Sequence, residues 1–373
     1  MRVLLSGGGT AGHINPAIAI ADLIKKNDPH AEIAFVGTPE GMENRLVRAA
    51  GYPMHHIRVR GLSRSLSPRN LEALFLALAS PIKARSLLSD FSPDLVIGTG
   101  GYVCWPTLRA AAAEGIPCAL HESNAVPGLT VRRLAPYMDG IWLNFKEAAK
   151  YLPNGCVEPI VTGNPIREGF FRSSREEAKA RLGLKKEDVL LLSFGGSLGA
   201  ERLNEAMIRL MKQGEKRESP LKIIHACGSK HYEACRAQLG SDTEKSKLLS
   251  YIENMPLYMA AADMVTCRAG AMTISELALC GRCAILVPSP YVADDHQRKN
   301  AEVLAKNQAA FLLEESDLPQ NNVEKMIFSL VFDEKKRELF EKNIKSFAKP
   351  DSGRIIWTQI LKIARKSKAE TQK

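Results

Sequence analysis

The sequence predicts an α/β chain of two doubly wound domains, each a parallel sheet with helices on both faces. Three observations carry this. Short apolar runs alternate with helical patterns along the chain, the pattern restarts half way, and the two halves open on similar glycine loops. At 373 residues the chain exceeds one ordinary core and suits two domains of common size.

The elements follow in order. "VLLSGGGTAGHINPAIAIADLI", residues 3–24, joins a buried apolar run to a glycine cluster and then a helical pattern. "AEIAFVGT", "DLVIGTGG" and "IPCALHES" read as further strands separated by helix-like segments. Strands alternating with helices argue for a parallel sheet. "DVLLLSFGGSLGAERLNEAMIRL" restarts the grammar, followed by strands in "LKIIHACG", "SKLLSYIENM", "ADMVTCRAG" and "CAILVPS". Laying the opening loops over one another sets Gly8, Gly9, Thr10 and Gly12 opposite Gly195, Gly196, Ser197 and Gly199. His13 falls opposite Ala200 and belongs to the first half alone. A Gly-Asn-Pro turn in "VTGNPIREGFF" marks the boundary. The domains are therefore expected at 1–163 and 164–344, with a last helix at about 345–365 packing back on the first.

Composition bounds the function. Apolar residues make up 45% and charged residues 25%, ordinary for a globular chain. The first apolar run breaks into glycines and reads as a strand rather than a signal peptide. No apolar stretch is long enough for a transmembrane helix. Eight cysteines lie scattered without CxxC or metal-ligand spacing, as reduced thiols of a cytoplasmic protein do. The net charge of +10 points to an anionic partner: nucleic acid, a phosphorylated substrate or an acidic membrane. No nucleic-acid module or aromatic–basic interleaving is present, which ranks nucleic acid last.

Residues 7–12, GGGTAG, match the dinucleotide G-x-G-x-x-G in form. That fingerprint also needs an acid ending the second strand, and here Glu40 already lies beyond the turn, which counts against a nicotinamide or flavin site. The physical content survives: glycines admit a ligand close to the backbone, and the following helix offers N–H groups and positive dipole to an anion. Three such loops, 6–13, 98–102 (with Gly100, Gly101 and Tyr102) and 194–200, fall at carboxyl ends of strands, where open parallel sheets bind ligands. His13, in the first turn of its helix, is either a packed histidine or a proton acceptor kept neutral by the helix dipole. His121, Glu122, Ser123 and Asn124 crowd one strand end. In "CRAGAMTISELALCG" a helix is expected from near Thr273, so that Glu276 is either a first-turn cap or a bidentate acceptor for ribose hydroxyls. In "YVADDHQRKNA", Asp294 and Asp295 are adjacent and point apart, so no metal is expected.

Taken together, "GGGTAGHINPA", "GTGGYVCWP", "HESNAVPG", "GNPIR", "FGGSLGA", "AGAMTISEL" and "DDHQRKNA", in this order across nearly the whole chain, resemble the MurG family of peptidoglycan N-acetylglucosaminyltransferases. The resemblance implies a GT-B fold, two Rossmann-like domains facing a central cleft. It implies transfer of GlcNAc from UDP-GlcNAc to undecaprenyl-pyrophosphoryl-MurNAc-pentapeptide, lipid I to lipid II, with inversion and without a bound cofactor. By the same carry-over Glu276 holds the ribose, Ser197 the pyrophosphate and Ile252 the uracil surroundings. Ala271, Met272, Thr273, Ile274 and Ser275 line the nucleotide pocket, and Gln297 with His296 contacts the sugar. Thr10, Ala11, Gly12, Asn124 and Arg167 reach the donor from the first domain and hinge. Gly8, Gly9, Gly100, Gly101 and Tyr102 face the acceptor pyrophosphate. His13 is the expected base, with Glu122 as rival or helper. Ala11 stands where members often have glycine.

The lipid acceptor calls for a membrane-facing surface. "SPRNLEALFLALASPIKARSLL" offers an apolar helix with Leu74, Phe75 and Leu78, flanked by Lys83 and Arg85. It suits the anionic cytoplasmic face of the inner membrane as well as it suits a core helix. The competing readings are a transferase for another lipid such as diacylglycerol, a UDP-GlcNAc 2-epimerase, and a dinucleotide oxidoreductase.

Overall fold

The computed structural model describes residues 1–59, 82–166, 168–171, 173–196 and 199–371. Two compact units emerge: Met1–Ile166 with Lys349–Lys373, and Arg167–Ala348. The first unit thus ends three residues beyond 163, and the chain returns to it at Lys349 rather than about 345.

The first unit runs β1 (Arg2–Ser6), α1 (Ala11–Asn27), β2 (Glu32–Gly37), α2 (Glu43–Ala49), β3 (Met54–His56), α3 (helical over 82–91), β4 (Leu95–Gly98), α4 (Cys104–Ala113), β5 (Cys118–Glu122), α5 (Leu129–Leu134), β6 (Gly140–Leu143) and β7 (Ile160–Val161). Its seven strands are ordered β3-β2-β1-β4-β5-β6-β7, and the pairings are parallel. Side chains alternate between the two faces, as strand geometry requires. Leu4, Val96 and Leu120 join α4 and α5 on one side, while Val3, Leu5, Ile97 and Ala119 join α1 on the other. Covered on both faces, the strands read as continuous apolar runs. The last helix, α14 (Ser352–Thr371), packs here through Ile356, Ile360 and Ile363, at helical spacing, against Ile20 and Ile24 of α1 and Trp142 of β6. Gly163 (φ +79°) makes room for the returning chain, since a Cβ there would come 2.4 Å from that of Lys349.

The second unit runs α6 (Arg175–Arg181), β8 (Val189–Phe194), α7 (Glu201–Glu215), β9 (Leu221–Ala226), α8 (Tyr232–Leu239), β10 (Ser246–Leu249), α9 (Met255–Ala261), β11 (Met264–Cys267), α10 (Ala271–Cys280), β12 (Cys283–Leu286), α11 (His296–Lys306), β13 (Phe311–Leu312), α12 (Asn322–Phe332) and α13 (Glu334–Lys345). Its order is β10-β9-β8-β11-β12-β13. In both sheets the chain starts in the middle, winds one way for two strands, then crosses back beside its first strand. That leaves a switch point between β1 and β4 and another between β8 and β11, where doubly wound sheets take their ligands.

Candidate active site

The β1–α1 loop and the β4–α4 turn meet at the first switch point. The Gly8 N–H donates to the Gly100 carbonyl at 3.4 Å, and Thr99 Oγ1 donates to the His13 carbonyl at 2.7 Å. Gly101 sits at φ +86°, and a Cβ there would lie 2.2 Å from the Gly8 oxygen. A Cβ on Gly100 would lie 2.7 Å from His13 Cδ2, so the imidazole packs against this turn. The ring of Tyr102 covers Gly9, itself at φ +81°. The structure thus brings Gly8, Gly9, Gly100, Gly101, Tyr102 and His13 together. His13 Nδ1 lies 3.2 Å from the Gly8 carbonyl oxygen and 3.2 Å from Thr10 Oγ1. A carbonyl only accepts, so the Gly8 contact is a hydrogen bond in the tautomer that carries its proton on Nδ1, and in that tautomer Nε2 is the basic nitrogen. Thr10 is the N-cap of α1 and Ala11 its first helical residue. A methyl group is at ease there, so the family's usual glycine is not required at that position.

Glu122 ends β5, buried at 2% exposure. Its Oε1 accepts from the backbone N–H and side-chain amide of Asn124 at 2.8 and 3.0 Å, and its Oε2 accepts from the Gly128 N–H at 3.3 Å. Burial pushes its carboxyl up to about 7 against these hydrogen bonds, which favour the charged form. These contacts make Glu122 the organiser of the 123–128 loop. His121 is buried and donates from Nε2 to the Gly163 carbonyl at 3.1 Å. Desolvation lowers it to about 4, so it is a neutral structural histidine.

One residue that sequence reasoning passed over stands beneath the first loop. Glu43, the first residue of α2, is fully buried. Its Oε1 accepts from the Thr38 N–H and hydroxyl, each at 2.9 Å, and its Oε2 from the Gly9 N–H at 3.3 Å. In sequence it looks like an ordinary acidic first-turn residue.

In the second unit, Gly196 (φ +88°) and Gly199 (φ +79°) bend the β8–α7 loop. A Cβ on Gly199 would come 2.1 Å from the Cys227 oxygen. That carbonyl accepts from Asn204 Nδ2 at 3.0 Å, and Asn204 Oδ1 accepts from His225 Nε2 at 3.1 Å. His225 is buried and lowered to about 4 by desolvation, which keeps this support neutral. Across the switch point, α10 starts at Ala271 rather than near Thr273, with Gly270 as its N-cap. Glu276 therefore lies in the second turn, and the reading of it as a first-turn cap is corrected. Ala271, Ile274 and Ser275 are buried, while Met272, Thr273 and Glu276 are partly exposed. Ser275 Oγ donates back to the Ala271 carbonyl at 3.1 Å. Gln297 lies in the first turn of α11 beside His296, and its Oε1 accepts the Ser289 N–H at 2.9 Å. Ile252 is buried just after β10, at the far edge of the sheet.

Among the described residues the N-cap side chains of α1, α4, α7 and α10, the helices at the switch points, make no capping hydrogen bond, as is also true of α8, α11 and α12. The N–H groups at a helix start suit an anionic ligand. Arg167, Ser197, Leu74, Phe75 and Leu78 lie outside the described residues. Lys83 and Arg85 are exposed on α3, and Arg85 pairs with Glu114 at 2.9 Å. Among the described residues no group of three or more His, Cys, Asp or Glu side chains could hold a metal ion. Among them, too, no helix is long and apolar enough to cross a membrane.

The glycosyltransferase family 28 N-terminal domain matches residues 3–142 and the family 28 C-terminal domain matches residues 190–354. With two doubly wound units, these matches define a GT-B glycosyltransferase. The UDP-N-acetylglucosamine–N-acetylmuramyl-(pentapeptide) pyrophosphoryl-undecaprenol N-acetylglucosamine transferase of Acetivibrio thermocellus is 41% identical over 370 residues, covering 99% of this chain and 100% of that relative. The crystal structure of Acinetobacter baumannii MurG matches with a TM-score of 0.78 at 30% identity, over 97% of this chain and 99% of that one. The chain belongs to the MurG family. A UDP-GlcNAc 2-epimerase from Neisseria meningitidis, at a TM-score of 0.62 and 14% identity over 97% of this chain and 100% of its own, shares the fold alone.

Proposed function

We infer that this chain transfers GlcNAc from UDP-GlcNAc to the MurNAc 4-hydroxyl of undecaprenyl-pyrophosphoryl-MurNAc-pentapeptide, a step of peptidoglycan synthesis. The observation that carries this is 41% identity across 99% of the chain to an enzyme named for that transfer. The two switch points supply what the reaction needs.

His13 Nε2 takes the proton of the acceptor hydroxyl as its oxygen forms a bond to the donor's anomeric carbon. The bond from that carbon to UDP breaks on the opposite side, and the α-linked donor becomes a β-linked product through an oxocarbenium-like state. The Nδ1 contact with Gly8 supports His13 over Glu122, whose two oxygens already hold the 123–128 loop. Charge grows on the departing pyrophosphate, where N–H groups and dipoles of α7 and α10 stabilise it without a metal. Glu276, in the second turn of α10, takes the ribose hydroxyls. The amide NH₂ of Gln297, whose oxygen is already committed to Ser289, donates to the sugar, with His296 beside it. Ser197 serves the pyrophosphate, Ile252 the uracil, and Thr10, Asn124 and Arg167 complete the donor's contacts.

The enzyme works as a peripheral protein on the anionic cytoplasmic face of the inner membrane, where its +10 charge and the exposed Lys83 and Arg85 favour binding. The test is mass gain and anomeric NMR on a short-chain lipid I analogue. One β-linked GlcNAc is expected. His13→Ala should cut kcat by roughly 10² to 10⁴, the share of a general base; undiminished kcat would remove His13 from that role.

A further inference from the structure

The buried carboxylate under the first loop has a geometry that its place in the sequence does not suggest. Gly8 and Gly9 share one peptide group. The N–H of that group donates to Glu43 Oε2 at 3.3 Å, and its carbonyl oxygen faces His13 Nδ1 at 3.2 Å. Glu43, the Gly8–Gly9 peptide and His13 therefore form one continuous chain of hydrogen bonds. Glycines on three segments leave the space for it. A Cβ on Gly37 would come 2.6 Å from Glu43 Cγ, one on Gly41 2.1 Å from Oε1, and one on Gly8 3.0 Å from Cδ. Among the described residues no cation pairs with Glu43. Its charge is met instead by the Thr38 N–H, the Thr38 hydroxyl and the Gly9 N–H, which is how a buried carboxylate avoids the cost of desolvation.

We propose that Glu43 is a positioning residue for the transfer, acting on His13 through the peptide between Gly8 and Gly9. The carboxylate polarises that peptide, and hydrogen bonds in a chain strengthen one another. The strengthened Gly8 carbonyl holds the proton on Nδ1, keeps the ring in place and raises the basicity of Nε2. This is the work a carboxylate does for a catalytic histidine by direct contact elsewhere, here carried across one peptide unit. The other titratable groups on the surrounding elements are Asp22, Lys25 and Lys26 of α1, Glu40 before α2, Arg45 and Arg48 of α2, Tyr102 of the β4–α4 turn, Cys104 and Arg109 of α4, and Glu122 at the end of β5. Glu43 is the carboxylate whose hydrogen bond reaches the peptide that His13 touches. The proposal rests on His13 being the base.

Two measurements on the full chain test it. In the wild-type protein, ¹⁵N NMR of labelled histidine should show neutral His13 protonated on Nδ1; protonation on Nε2 would overturn the relay. Glu43→Gln keeps the shape and still accepts from Thr38, but turns an NH₂ towards the Gly9 N–H. It should move the acid limb of the kcat profile down by about one pH unit and lower kcat about tenfold, leaving KM for UDP-GlcNAc unchanged. Lower activity with an unmoved acid limb, or no change at all, would overturn the proposal. If Glu43→Gln fails to fold, the wild-type tautomer still decides. An Nε2-protonated ring in the wild-type protein, together with a crippled His13→Ala variant, sinks the relay alone, whereas a fully active His13→Ala variant sinks the reading beneath it.

Discussion

Replacing Gly101 by alanine isolates the join between the two loops of the first switch point. The residue sits at φ +86°, and its new Cβ would lie 2.2 Å from the Gly8 oxygen, where contacts under 3.0 Å essentially never occur. Gly8 must therefore retreat by about 0.8 Å, the difference of those two distances. A displacement near 1 Å in a catalytic arrangement costs about 10²-fold in rate, and positive φ adds about 1–2 kcal/mol of instability. Gly115→Ala separates the two effects, because Gly115 has φ +70° with nothing within 4 Å of its new Cβ. Both variants should lose stability in urea from the backbone term, and Gly101→Ala should lose more, because only its methyl group meets the Gly8 oxygen. Only Gly101→Ala should lose kcat, by about 10²-fold, in a UDP-release assay with saturating substrates. UDP-GlcNAc affinity by calorimetry should hold in both. Activity of Gly101→Ala within threefold of wild type, or an equal loss in Gly115→Ala, would refute the reasoning.

Acid should act unequally on the two units. His225 titrates at about 4 when folded and from 6.5 otherwise, so its contribution is full above pH 6.5 and lost as pH falls towards 4. Between pH 7 and 5 that removes about 2 kcal/mol from the second unit. In the first unit His121 acts the same way, but adjacent Glu122, raised to about 7, gains stability over the same fall and offsets it. Hydrogen exchange should show β9 losing protection before β5; the reverse order would contradict the assignment. Glu276→Ala should weaken UDP-GlcNAc binding about tenfold or more through lost charge-assisted bonds, read by calorimetry, with unchanged affinity excluding a ribose contact. Lys83→Glu should reduce sedimentation with anionic vesicles and leave neutral vesicles unaffected. Equal binding of both proteins to both vesicles would remove α3 from the membrane face.

What the sequence discloses follows what is local. The strands around both switch points are continuous apolar runs, and each glycine loop announces itself beside them. The three-residue β3 (Met54–His56) and the two-residue β7 and β13 are too short for any periodicity to show, and only pairing with a neighbour makes them strands; β6 (Gly140–Leu143) is as long as β4 but no glycine loop follows it. The start of α10 at Ala271 is similarly hidden, because Gly270 can cap a helix or end a loop equally well. Glu43 was illegible for another reason. Its partner Gly9 is 34 residues away, and nothing in "GMENRLV" distinguishes a carboxylate that turns inward from one that faces water. The histidines show the same limit: His13 lies just beyond β1 and His121 near the end of β5, and only burial and partners separate a base from a packed side chain.

The most direct test of the account is UDP release from UDP-GlcNAc with and without a short-chain lipid I analogue, with UDP-glucose as control donor. The account predicts release that requires the analogue and strongly prefers UDP-GlcNAc. Tight UDP-GlcNAc binding with no acceptor-dependent release would contradict it.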